Sequence, residues 1–271
     1  MAKEQFLRHR IHDEYMKQII IRLDYVGVRG GAELVRLFDK RFPKAFKQSQ
    51  DVYNSEYSIS LRHDEIKDIS DSSQVPINMI QKEKITRYKG MNNVACNVSL
   101  DISQYYLCMI IECDSNYDGL DKYIECFKGA ITIFSENIPY FQPKRLGLRK
   151  IRVESKPAIA DFNNVFENFV FNIPNYSFIS SVNLKSEYFD FIEYPQHNNL
   201  RINIHRTIER HNTQNAAGSL KTEYRASLDI DVYYKDEKLS RINELLTQAN
   251  SVEFDVYKSC MNEEYLKSIY R

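Results

Sequence analysis

The sequence predicts an α+β fold: a curved, mostly antiparallel sheet in two similarly built lobes, with long helices packed on it. Three observations carry this reading. Nineteen Tyr and fifteen Phe against eight Gly and seven Pro describe a β-rich globular chain. The stretch from Tyr105 to Ser155 reads as an apolar strand, a helix of about five turns and a strand studded with cations. The succession of long strand, polar turn and long helix at 105–138 then recurs loosely at 224–269.

Taken in order, residues 1–16 are polar and read as a short lead-in helix or arm. Gln18 to Val28 alternates well enough for a first strand, and Gly30 and Gly31 open a helix with the stripe Leu34, Leu37, Phe38 and Phe42. Asp51 to Leu61 is the return strand, and Arg62 to Val75 is a polar linker rich in Asp and Ser. Strands follow near 84–88, 95–102 and 105–113. Leu120, Tyr123, Ile124, Phe127, Ile131, Phe134 and Ile138 recur at helical spacing, and Pro139 and Pro143 stop that helix.

Lys144 to Val153 is the cationic strand, interleaving four apolar residues with Lys144, Arg145, Arg149, Lys150 and Arg152. Half-buried strands carry fewer charges, so these cations require acids or an anionic ligand. Pro157 marks a lobe boundary, dividing the chain into 1–156 and 157–271, with one continuous domain as the alternative. Beyond it come a short helix near 162–169, strands near 176–185 and 200–208, and a polar hairpin tip at 210–219. The other arm spans 221–234, and a helix over roughly 239–270 closes the chain, with β-branched residues around Val252 expected to bend or interrupt it.

Charge excludes a global attraction for nucleic acid or anionic membrane, because 37 basic and 37 acidic residues cancel among 271. Five cysteines, odd in number and mostly in expected core, fit reduced thiols. The N-terminal residues lack the apolar core of a signal peptide, and no aliphatic run is long enough to span a bilayer. A cytoplasmic protein is the expectation.

Several short motifs resemble a sporadically distributed, functionally uncharacterised prokaryotic family of about this length. RLGLRKIRV (Arg145–Val153) is similar to that family's RIGLRYIN-like strand. SLDIDVYY (Ser227–Tyr234) and the following NELLTQANSVEFDVYKSCM resemble its Leu-Asp-x-Asp strand and C-terminal helix. RFPKAF (Arg41–Phe46) fits its N-terminal pattern. Lys150 and Arg152 depart from it, standing where the family tends to have an aromatic and an Asn. The resemblance implies a fold and a patchily distributed gene of the defence or accessory kind, and no known activity.

Asp229 and Asp231 stand two apart on a strand and share a face. Such a pair can hold a divalent metal for phosphoryl transfer, or it can neutralise Arg145 and Arg149 through bidentate pairing. The second reading is preferred, because no third carboxylate or general base lies near in sequence. As a ligand site, the candidates are Arg145, Arg149, Lys150, Arg152, Asp229 and Asp231. Gly27 to Gly31 joins strand to helix and has the place of a phosphate cradle but neither known Gly-rich spacing. For nucleic-acid contact the candidates are Arg201, His205, Arg206 and Arg210, set against a plain solvated strand face.

None of the six histidines falls in a metal-ligand spacing, and no serine sits in a nucleophile elbow. No catalytic residue, metal or cofactor is therefore assigned. The reading leans away from an enzyme and towards a recognition or accessory protein of a bacterial defence or mobile-element system. Its partner is expected to be a protein encoded nearby, with nucleic acid second and no membrane. Contact surfaces are placed at the polar loops 62–83 and 209–220. A nucleotide- or phosphoester-binding enzyme or sensor is the alternative.

Overall fold

A computed structural model describes residues 6–7, 16–28, 31–42, 44–59, 77–113, 117, 119–171, 185–194, 199–214 and 220–270. The fold is α+β, with one open sheet of nine strands and helices packed on it. The strands are β1 (Met16–Tyr25), β2 (Phe46–Ile59), β3 (Ile77–Met91), β4 (Asn97–Ile102), β5 (Tyr106–Glu112), β6 (Pro143–Lys156), β7 (Lys185–Tyr194), β8 (Leu200–Gln214) and β9 (Leu220–Lys235). Their order across the sheet is β2-β3-β4-β5-β1-β6-β9-β8-β7, and every neighbouring pair is antiparallel.

The helices are α1 (Gly31–Arg41), α2 (Asp121–Asn137), α3 (Ile242–Cys260) and α4 (Glu263–Ile269). Strand alternation decides which face the first three cover. Ile19, Ile21, Leu23 and Tyr25 of β1 are all buried, and Tyr25 meets Phe134 of α2 at 5.9 Å between ring centroids. On the same face Tyr88 of β3 packs on Phe38 of α1 at 4.8 Å, and Arg152 of β6 lies over Tyr257 of α3. The helices answer with apolar stripes at helical spacing: Tyr123, Phe127, Ala130, Ile131 and Phe134 on α2, and Ile242, Leu245, Leu246, Ala249, Phe254 and Tyr257 on α3. At Gly129 of α2 a Cβ would meet the Phe42 ring at 2.3 Å, so this helix needs glycine where the end of α1 leans on it. No described element packs on the opposite face of the sheet.

β6 is bonded to β1 on one side and β9 on the other, so the sheet runs unbroken through its centre and no division into two lobes is shown. A boundary at 156 would leave β6 in one segment and its neighbour β9 in the other.

Other expectations shift. The strand expected at 176–185 falls outside the described residues except for Lys185, while β7 at 185–194 was not anticipated. Its aromatic residues Tyr188, Phe189, Phe191 and Tyr194 populate both faces, which hides the period of two. The last helix runs through Val252 and breaks instead at Met261. Met261 pairs with Phe166, and Asn262 caps α4 by accepting from the Glu264 N–H at 2.9 Å. The β8–β9 ladder continues to Gln214 and Leu220, placing Arg210 and His211 within the ladder and not at its tip. Of the loop expected at 62–83, residues 77–83 belong to β3 and the rest lie outside the described residues, as do 215–219. Among the described residues no helix is long and apolar enough to cross a membrane.

Candidate functional site

Alternation along β6 sorts its cations into two groups. Arg145 and Arg149 have odd numbers and face away from the helices. Lys150 and Arg152 have even numbers and point under α3. The expected single cluster of Arg145, Arg149, Lys150 and Arg152 is thereby corrected, because successive strand side chains cannot share a face.

Beneath α3, Lys150 Nζ lies 2.6 Å from Glu253 Oε2, and both side chains are 0% exposed. Arg152 Nη1 donates to Glu253 Oε1 at 2.6 Å, with its guanidinium 4.0 Å from the centre of the Tyr257 ring. Burial alone would push the Glu253 carboxyl up, yet Arg152 and Lys150 outweigh it and hold the group at about 2. Glu253 escaped the sequence reading. Its signal was a carboxylate in helical phase with Leu246, Ala249 and Tyr257, a position that only a paired charge tolerates.

The uncovered face carries the other group. Arg145 donates to Asp231 at 2.6 Å and stands 3.5 Å from Asp24. Its guanidinium also lies 4.4 Å from the centre of the Tyr233 ring. Arg149 binds Asp229 through both ends of its fork, with Nε to Oδ1 at 2.8 Å. At Gly147 a Cβ would sit 3.3 Å from both Arg145 and Asp231 and 3.1 Å from Tyr233, so the pair closes tightly over a residue with no side chain. Further along, Arg22 pairs with Asp24 at 2.7 Å and lies over Tyr106, while Arg87 binds Asp101 at 2.7 and 2.6 Å. The expected neutralisation of Arg145 and Arg149 by Asp229 and Asp231 is present.

These pairs still leave a hollow of about 420 Å³ above β6 to β7, lined by Arg149, Glu187, Phe189, Asn203, His205, Asp229 and Asp231. Asn203 donates to Asp231 at 3.4 Å. Desolvation raises the Asp231 carboxyl above its ordinary value, despite Arg145 and Arg149. Bonding to Asp229 raises Arg149 further. The Phe189 ring is 63% exposed and the nearby Phe191 is 51% exposed. Glu187 and Phe189 were missed because β7 itself was missed.

The nucleic-acid candidates separate likewise. Arg201 and His205 lie on the uncovered face, but Arg206 points to the helix side, where it binds Asp190 at 2.5 Å and the Val170 carbonyl at 2.9 Å. Arg201 donates to Glu193 at 2.6 Å, and His205 is hydrogen-bonded to Glu187 at 2.5 Å. Arg210 reaches the Thr222 hydroxyl at 3.4 Å. The acids of β7 therefore answer Arg201, His205 and Arg206 in turn, removing most of the charge a phosphate backbone would meet.

At the first strand-to-helix turn a Cβ on Gly27 would meet the Tyr105 ring at 2.7 Å, so close approach explains this glycine. Arg29 and Gly30 lie outside the described residues, as do His9, His12, His63 and His197. Burial pushes the thiols of Cys108 and Cys126 up to about 12 and about 11, far from a nucleophile's range. Among the described residues no group of three His, Cys, Asp or Glu side chains is placed to hold a metal. No family model, curated protein or solved structure matches the chain.

Proposed function

We propose that this chain is a recognition protein that docks a protein partner on the uncovered face of its sheet, over β6, β9, β8 and β7. The observation that carries the reading is the pair of exposed rings, Phe189 and Phe191, beside a ladder of Arg–Asp pairs on that face. Exposed aromatic residues next to satisfied polar groups are the composition of a protein interface. The family resemblance supports an accessory role in a bacterial defence or mobile-element system. The repeated wiring supports two similarly built halves: a central strand, a meander that returns beside it, and a closing helix, as β1 to α2 and as β6 to α3.

The phosphoester reading is weaker, because Arg145 and Arg149 are engaged by Asp231 and Asp229 and further carboxylate lines the hollow.

The test is a photo-crosslinking residue placed at Phe191 in one variant and at Glu136, exposed on α2, in another, each expressed in the native host. One reproducible protein adduct from Phe191, absent from Glu136, is expected. Adducts from Glu136 alone, or the same proteins from both positions, would overturn the proposal.

A further inference from the structure

We infer that the hollow beside Phe189 receives an arginine side chain presented by that partner, an inference that rests on the docking face proposed above. Three features of the molecule converge on a planar cation.

The first is charge. Glu187, Asp229 and Asp231 line the hollow against the single guanidinium of Arg149, and adding Arg145 behind Asp231 still leaves carboxylate in excess. Glu187 is answered by His205, which carries charge only when protonated. Desolvation raises the Asp231 carboxyl above its ordinary value, with Arg145 and Arg149 pulling the other way. An incoming phosphate would meet three carboxylates, whereas an incoming cation completes the set.

Shape supplies the second. A hollow of about 420 Å³ has room for one long side chain with its water, and Phe189 presents an exposed ring at its wall. Guanidinium is flat, stacks on aromatic faces and donates along its edges, while a lysine ammonium does neither as well.

The third is how the chain treats its own arginines. Arg22 lies over Tyr106 and binds Asp24; Arg145 lies over Tyr233 and binds Asp231; Arg152 lies over Tyr257 and binds Glu253. In each case one ring covers the face of the guanidinium and carboxylate takes its edge, with Asp24 a second one at Arg145. Phe189 and Glu187, two residues apart on β7 and on one face, bring the same two parts to the wall of the hollow, where only the imidazole of His205 lies against them among the described contacts.

The probe is the blocked tripeptide acetyl-Gly-Arg-Gly-amide, titrated into the isotope-labelled full chain and followed by amide chemical shifts. Saturable shifts confined to β7, β8 and β9 are expected, at a Kd of roughly millimolar for one side chain. The citrulline analogue, equal in shape and uncharged, should bind at least about tenfold more weakly, and the lysine analogue should fall between. Glu187→Gln and Phe189→Leu should each weaken the arginine peptide several-fold while leaving the remaining amide spectrum unchanged. Equal binding of arginine and citrulline peptides, competition by inorganic phosphate, or no shift at the solubility limit would overturn the inference. The face and the hollow fail separately: a partner adduct from position 191 that survives Glu187→Gln at full yield removes the arginine pocket and leaves the docking face standing.

Discussion

Two pairs of cations on one strand meet opposite fates. Lys150 and Arg152 are sealed under α3 with one carboxylate, Glu253, between them. Arg145 and Arg149 lie on the open side, the first between Asp24 and Asp231 and the second on Asp229, and Arg149 remains 44% exposed. The residue types are similar, and solvent is what differs. In the buried cluster the loss of Glu253 takes a carboxylate from two charges that water cannot reach. On the open face Arg149 keeps its water when a partner is lost, although the aspartate it binds is itself buried. The first arrangement is thus a structural commitment, while the second leaves polar groups that an incoming molecule can share.

Breaking the buried cluster should give the largest effect. Glu253→Gln removes the carboxylate that both Lys150 and Arg152 bind, and a loss of about 3–5 kcal/mol in urea unfolding is expected. The triple replacement of Lys150, Arg152 and Glu253 by Met should recover most of that loss, since burying no charge costs less than burying an unbalanced one. A single variant as stable as the parent would erase the contrast between the two faces.

Acid should expose the same cluster. Glu253 is held at about 2 against its ordinary 4.5, so its contribution is complete above about pH 4.5 and is lost as pH falls towards 2. Across that window the parent should lose up to about 3 kcal/mol more than Glu253→Gln, as read from urea midpoints against pH. Parallel curves for the two proteins would count against the assignment.

Gly147→Val should cost about 1–3 kcal/mol by crowding Tyr233 and displacing Arg145 from Asp231. The smallest effect is expected at Arg149 and Asp229. A double-mutant cycle of Arg149→Met and Asp229→Asn should show a coupling well below the loss at Glu253, on the order of 1–2 kcal/mol, because Arg149 is half exposed although Asp229 is buried. A coupling as large as that of the buried cluster would mean that solvent does not separate the faces.

Much of this was legible in the sequence because it is local. The passage from β5 through α2 to β6 follows from one apolar run, one helical stripe and two prolines. Setting Arg145 and Arg149 against Asp229 and Asp231 needed only the counting of charges and the period of a strand. The same period separates Arg149 from Lys150 and Arg149 from Arg152, and applying it along β6 would have divided the cations. Glu253 was readable in principle as an acid on an apolar stripe, though nothing local says that the stripe lies over Lys150. The hollow was out of reach, since it depends on Phe189 and Glu187 arriving beside His205 through strand pairing that no local pattern encodes.

The strand order also sets the terms on which this protein leaves the ribosome. The first of the described strands, β1, ends in the middle of the sheet, so Ile21 waits for Met109 on one side and Leu148 on the other. Until those partners are synthesised, the aliphatic run Ile19 to Leu23 has neither ladder nor helix to shelter it. Nascent chains stalled before residue 106 should therefore hold a chaperone on this segment, and its release should begin with the emergence of β5 and α2 and be completed by β6.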